Sequence, residues 1–322
     1  MKINYFKIFL MCLMCVVITT CTSNKISASA LANFSVIANY NEHQNANVSY
    51  FDITVKPNES QKISVTIENT GDQGETFYIN VNQANTNKNG IIDYTNSTKK
   101  LLNPPFYLEE ILDYQHEIFV NAHGKKRVDI NINTPNVVFN GEVLGGIYVT
   151  SSSNQKINDQ VDYAYVIGLR LHQKNTKIHR KLVFGHFELK EKKNESIINI
   201  PIYNYESISM KDLRFDISIK KNGKVLLEKK CTTKKQIAPN SEYEYSEKLS
   251  SISKFGPGVY EVCIQIKDNE SNQWVHAQQI QISNHNIHFK KENLNIMYIF
   301  CSFITVVSLF IATNILLRRK RE

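Results

Sequence analysis

Apolar and polar residues alternate at period two along most of the chain. Phe51, Ile53 and Val55 alternate with Asp52 and Thr54 before the turn Pro57-Asn58-Glu59-Ser60. Ile63, Val65 and Ile67 form the next apolar row, closed by Asn69-Thr70-Gly71-Asp72. Phe77, Ile79 and Val81 follow, then a polar loop ending in Asn89-Gly90. Val128, Ile130 and Ile132 repeat the pattern after His123-Gly124, and Gly145 to Val149 and Tyr165 to Leu169 complete the set. Successive strand side chains point to opposite faces, so this alternation marks half-buried strands. Short strands at regular spacing with turn residues between them predict an antiparallel sandwich. Pro104-Pro105 before Leu108-Glu109-Glu110-Ile111 predicts one or two helical turns started by proline, plugging an end of that sandwich.

A second series follows the polar, basic connection His172 to Lys181. Ile198, Ile200 and Ile202 alternate, then Leu213, Phe215, Ile217 and Ile219. Asn222-Gly223 predicts a type I′ hairpin, which needs positive φ at both turn positions. Pro257-Gly258 opens Tyr260-Val262-Ile264-Ile266, and a turn at Asp268 to Asn272 leads into Trp274 to Ile282, with Trp274 packing in or beside this core, against the alternative of stacking on a ligand. The expected fold is all-β: two immunoglobulin-like β-sandwiches in series, 31–172 and 173–284, and a polar stalk over 285–293.

The two ends predict export and anchoring. Lys2 and Lys7 precede an apolar run, and Ala28-Ser29-Ala30 supplies a small-x-small cleavage pattern, so 1–30 read as a signal peptide. Cys21 invites a lipid-anchor reading, but Thr19-Thr20 are poor small residues before it. Residues 294–317 carry no charge and would be about 36 Å long as a helix, enough to cross a hydrocarbon core of about 30 Å. Arg318-Arg319-Lys320-Arg321 then hold 318–322 in the cytoplasm as a basic tail and leave the sandwiches outside the cell.

This topology explains the charge. The chain has 38 Lys and Arg against 30 Asp and Glu, a formal +8. Eight of those cations and two of those acids lie in the terminal segments, leaving 31–290 with 30 basic and 28 acidic residues. A nearly neutral exported region has no footprint for nucleic acid. Of six cysteines only Cys231 and Cys263 fall in the sandwiches. Cys263 sits on the strand phase opposite Tyr260, Val262, Ile264 and Ile266, which argues against a bridge between them.

Candidate chemistry is sparse, and no enzyme, cofactor or metal site is expected. His116-Glu117 opens like a zinc motif, but position 120 is valine, and His285 with His288 lacks a third ligand. Glu109-Glu110 suit a helix start. A cell-wall polymer would be met by side-chain amides and flat rings. Asn87, Asn89, Asp93 and Tyr94 have that character, against the alternative of an ordinary Asn-rich turn. The remaining classes are a surface scaffold or adhesin, a receptor ectodomain with too short a tail for output, and a pilus-type assembly chaperone, which would have to be released.

Several strand segments together resemble one family. Asn33 to Ile37, Ser49 to Ile53, Asn89-Gly-Ile-Ile-Asp-Tyr94, Asn140-Gly-Glu-Val-Leu-Gly-Gly-Ile-Tyr-Val149 and Tyr163 to Leu169 follow the order found in WxL-interacting proteins of Gram-positive surfaces. Ala238-Pro-Asn-Ser241 and Pro257-Gly-Val-Tyr260 continue it, and the abundance of Asn, Ile and Lys fits an AT-rich genome of that kind. The resemblance implies an N-terminal domain that binds peptidoglycan, a C-terminal domain that binds host proteins, and assembly with WxL-domain proteins. It places the division at 152–163, whereas strand packing assigns Tyr163 to Leu171 to the first sandwich.

Overall fold

The structure, a computed structural model, describes residues 33–289 except 41, 43, 46, 96–99, 153–162, 174–177, 193–194, 251–254 and 283–286. The leader 1–30, the span 294–317 and the tail 318–322 lie outside the described residues. Among those described, no helix is long and apolar enough to cross a membrane.

The first unit pairs β1 (Phe34–Asn39), β3 (Ser60–Asn69), β9 (Lys125–Asn133) and β7 (Leu112–Tyr114) in the order β1-β3-β9-β7. Its partner sheet runs β2-β11-β10-β4-β8, from β2 (Phe51–Thr54), β11 (Ala164–His172), β10 (Glu142–Ser151), β4 (Glu75–Gln83) and β8 (Glu117–Val120). The pairs are antiparallel except β11 with β2. The apolar rows read from the sequence face inward: Ile63, Val65, Ile67, Val128, Ile130 and Ile132 meet Phe77, Ile79, Ile147, Val149, Leu169 and Leu171 in one core. The single-turn helix α1 (Leu108–Ile111) adds Leu108 and Ile111 to it. Gly145 makes that possible, since a Cβ there would collide with the Leu108 side chain.

The second unit begins with β12 (Val183–Phe184) and β13 (Glu188–Lys192), both paired with β14 (Glu195–Asn204), whose other edge takes β18 (Ser241–Ser250). The facing sheet is β16-β15-β19-β20-β21: β15 (Met210–Lys221), β16 (Lys224–Lys230), β19 (Gly258–Lys267), β20 (Gln273–Ile282) and β21 (Ile287–Phe289), with β17 (Lys235–Ile237) added to β15. Its core joins Ile198, Ile200 and Ile202 to Phe215, Ile217, Val262 and Ile264, and Trp274 packs against it half-buried. Asn222 and Gly223 have φ of 50° and 77°, the positive pair that a type I′ turn requires. A short ribbon, β5 (Asn85–Thr86) with β6 (Ile92–Asp93), lies outside both sandwiches.

Both units turn the corner after their first long strand in the same way. Asn69 and Asn204 are fully buried at the ends of β3 and β14. Each amide nitrogen donates to the carbonyl four residues on, Gln73 or Ile208, and to a second chain segment at Val120 or Ala238. Each amide oxygen accepts from the backbone N–H two residues on, at Gly71 or Glu206. Buried polar groups are tolerated only when satisfied in this manner.

One detail departs from the sequence reading. Residues 287–289 are not stalk: they form β21 on the open edge of β20, because Ile-His-Phe is a short strand whose alternation is masked by polar neighbours. At the two ends of the polar, basic connection after β11, His172 and Gln173 are buried and Arg180 pairs with Asp268 at 3.0 Å and with Glu270 at 2.7 Å. In the first unit's sheet, β11 lies between β10 and β2, the place that strand packing rather than the family division gives Tyr163 to Leu171. Cys231 and Cys263 are both thiols.

Candidate functional site

The two units meet across a hydrogen-bonded junction, and the candidate ligand residues sit in it. The ribbon β5-β6 reaches from the first unit to the second. Thr86 Oγ1 accepts from Ala238 N at 2.9 Å and lies 2.6 Å from Ser241 Oγ. Lys235 Nζ donates to the Asn89 carbonyl at 2.9 Å, and Gln236 N donates to that of Gly90 at 2.7 Å. Asn87 spends its amide oxygen on the N–H groups of Asn89 and Ile91, and Asp93 accepts from Thr95 N and Oγ1. Tyr94 lies over the sheet: a Cβ on Gly146 would be 2.7 Å from the Tyr94 Cβ. The structure therefore keeps these four residues on one ribbon, with Asn87 used in the turn itself and Tyr94 used to pack the ribbon down.

Asn240 organises the other half of the contact. Its φ is 51°, a left-handed conformation that asparagine tolerates better than most residues. From there its amide nitrogen donates to the carbonyls of Leu102 and Tyr205, and its oxygen accepts from Ser207 Oγ. Leu102 N donates to the Asn240 carbonyl at 2.7 Å. Ala84, Leu144 and Ala238 form a small buried apolar cluster across the same junction.

A charged network lies where the second unit covers the outer face of β2, β10 and β11. Glu142 and Asp52 are 7% and 5% exposed. Arg170 joins them, with Nε 2.6 Å from Glu142 and Nη1 2.9 Å from Asp52. His172 Nε2 stands 3.2 Å from the same Asp52 oxygen. From the second unit, Ser209 N and Oγ both donate to Glu142 Oε1, at 2.9 and 2.6 Å, while Glu142 N donates to the Ser207 carbonyl. Burial pushes the Glu142 carboxyl up, but the bonds from Ser209 and Arg170 outweigh it and leave the group below its ordinary value. Gly141 has a φ of 88° and no room for a Cβ against the Ser207 carbonyl, so the close approach depends on glycine.

Beside the network opens a polar cleft of about 820 Å³, lined by Arg170, Arg180, Lys211, Asp212, Glu270 and Asn272 among others. Several of its charges are already paired, Asp212 with Lys234 at 2.8 Å, Arg180 with Asp268 and Glu270, and Arg170 with Glu142 and Asp52. Among the described residues, no group of three or more His, Cys, Asp or Glu side chains could hold a metal ion. What the arrangement accomplishes is to make one body of two sandwiches. Sequence reasoning missed Asp52, Glu142, Arg170 and Ser209; the signal was Gly141 beside Glu142, and the paired glycines of β10.

Two joined β units define an all-β protein, and the comparisons with known families are specific. Residues 34–151 match the model described as WxL Interacting Protein, peptidoglycan binding domain, and residues 152–292 match WxL Interacting Protein, host binding domain. The chain belongs to the WxL interacting protein family. The junction between the two matches falls before β11, whereas the sheet pairing of β11 is with the first unit. Comparison with curated proteins gives no match. Solved structures returned include the CupB2 chaperone of Pseudomonas aeruginosa, at 11% identity over 67% of this chain and 91% of that one, with a TM-score of 0.26. The E. coli chaperone DraB gives 14% over 78% and 97%, with a TM-score of 0.31. The CsuC–CsuE chaperone–tip adhesion subunit complex of Acinetobacter baumannii gives 14% over 70% and 93%, with a TM-score of 0.34.

Proposed function

We propose that this protein is a cell-surface scaffold or adhesin. Two immunoglobulin-like modules, 31–172 and 173–284, are tethered by the segment 294–317 and hold peptidoglycan on one side and a host or WxL-domain protein on the other. The observation that carries this reading is the pair of family matches, two binding domains on a chain whose two units meet at a junction built from backbone carbonyls, Thr86, Glu142 and Asn240. Such a junction fixes the angle between two binding faces. A ligand held by one module then presents itself to the other at a set distance, and tethering raises the effective concentration of both near the wall.

The test is sedimentation of the purified full-length chain, in detergent, with protein-free peptidoglycan, alongside capture of a WxL-domain protein on immobilised chain. Retention by both is expected, and because 31–290 is nearly neutral it should survive moderate salt. Absence of both interactions at low and moderate ionic strength would refute the assignment.

A further inference from the structure

The two outer faces of the first unit differ in chemistry. On β3 and β9 the outward positions carry three salt bridges, Lys62 with Asp129, Lys125 with Glu68 and Arg127 with Asp129, beside amides and hydroxyls bonded to one another, Asn39 to Ser64 and Thr66 and Ser60 to Asn133. On the opposite sheet, the end near Glu142 is covered by the second unit, and the rest carries rings, amides and hydroxyls. The register sets Val166, Tyr148 and Asn80 side by side across β11, β10 and β4, with Thr150 and Tyr78 in the next row and Phe119 beyond on β8. Phe119 is 56% exposed and Val166 40%, while Asn80 is open and Tyr78 and Tyr148 are half-buried. Glu117, opposite Tyr78, is the charged neighbour at the margin.

We propose that this half of the β11-β10-β4-β8 face, exposed among the described residues, is the glycan-binding surface of the peptidoglycan-binding module, taking a run of N-acetylated pyranose rings. The inference rests on the first module binding peptidoglycan and adds the place and the contacts. Four strands at about 4.8 Å spacing give a platform about 14 Å wide. Tyrosine offers a flat apolar ring with a polar tip, suited to the C–H face of a sugar and its hydroxyls. Asn80 supplies both a donor and an acceptor for an N-acetyl group, and Thr150 a hydroxyl. A neutral polymer with apolar ring faces fits this surface better than the face across the sandwich, where a ligand would have to displace existing salt bridges and side-chain hydrogen bonds.

The experiment uses the full-length chain in detergent, with two probes: protein-free, acid-stripped peptidoglycan, and a soluble N-acetylglucosamine oligomer. Tyr148→Ala and Asn80→Ala should each weaken binding by about tenfold, the effect of losing one well-placed contact. Tyr148→Phe, which keeps the ring, should stay within about twofold of the parent. Asn80→Lys lays a charged chain across an exposed position without touching the core, so it should block binding even if Tyr148→Ala proves unstable. Lys62→Ala, on the other face, should bind normally. If the parent chain binds and the face variants bind equally well, the placement is wrong while the module's assignment stands. If the parent chain binds neither probe, the assignment itself fails. Face variants that lose a WxL-domain protein yet keep peptidoglycan would also overturn the proposal.

Discussion

Replacing Glu142 with glutamine should loosen the junction between the modules without disturbing either core. The carboxylate is buried and receives three hydrogen bonds, two from Ser209 and one from Arg170. Breaking a buried ion pair costs about 3–5 kcal/mol. Glutamine keeps an oxygen for Ser209, and Arg170 keeps Asp52 at 2.9 Å, so the loss should fall lower, about 2–3 kcal/mol. For a cooperative unit of this size each kcal/mol moves the thermal midpoint by about 2–4 °C, which predicts a fall of about 5–10 °C. Calorimetry on the purified chain measures it, and a double-mutant cycle with Ser209→Ala isolates the contact between modules. That coupling should be about 1–2 kcal/mol. A midpoint shift under about 1 °C with no coupling would refute the claim that the network joins the two modules.

The same carboxylate sets a pH dependence: its folded pKa lies below the unfolded value, so its contribution is present above the ordinary glutamate range and disappears as pH falls through the lowered one. Acid titration of midpoints should therefore show the parent losing its advantage over Glu142→Gln only under acid conditions, and an advantage that vanishes near neutrality would contradict the sign. Gly141→Ala should cost about 2–3 kcal/mol, read by calorimetry, because a positive φ and a blocked Cβ coincide there. Asn69→Ala and Asn204→Ala should each cost about 2–3 kcal/mol in chemical denaturation, since every amide bond at either corner goes unmade. Deletion of 294–322 should release folded protein from cells into the medium, and a truncated chain that stays in the membrane fraction would count against the span.

Most of the strand positions were legible because periodicity reports which side of a strand is apolar. The rows Ile63-Val65-Ile67-Asn69 and Ile198-Ile200-Ile202-Asn204 stand out in the sequence, and both face cores as their phase requires. Periodicity does not report what lies against the other side. Asp52, Glu142, Arg170 and His172 occupy outward positions, which alternation alone leaves to solvent, yet three of them are buried because the second module and the segment at Gln44–Asn45 rest on that end of the sheet. The glycines carried that information. Gly145 makes room for Leu108 on the inner side and Gly146 for Tyr94 on the outer side, so adjacent glycines in one strand mark two close approaches on opposite faces.

The junction's place on the sheet has a consequence for binding. Two sandwiches joined end to end by a linker would leave both outer faces of the first one open and let the angle between modules vary. Here the second module sits on one end of the β2-β11-β10-β4-β8 face, and the Ala84, Leu144 and Ala238 contact excludes water beneath it. The open remainder, around Tyr148 and Asn80, is therefore a strip bounded on one side by the second module. A rod-like polymer lying on that strip can run in few directions before meeting the neighbour. The angle fixed by Glu142, Ser209 and Asn240 would then decide how a partner on the second module is oriented relative to the wall. If so, Glu142→Gln should leave the affinity of each separate interaction nearly unchanged. It should lower the amount of ternary complex formed when peptidoglycan and a WxL-domain protein are offered together, as measured by co-sedimentation. Equal ternary yield from parent and variant, with the junction shown to be loosened, would mean that the two modules act independently despite their contact.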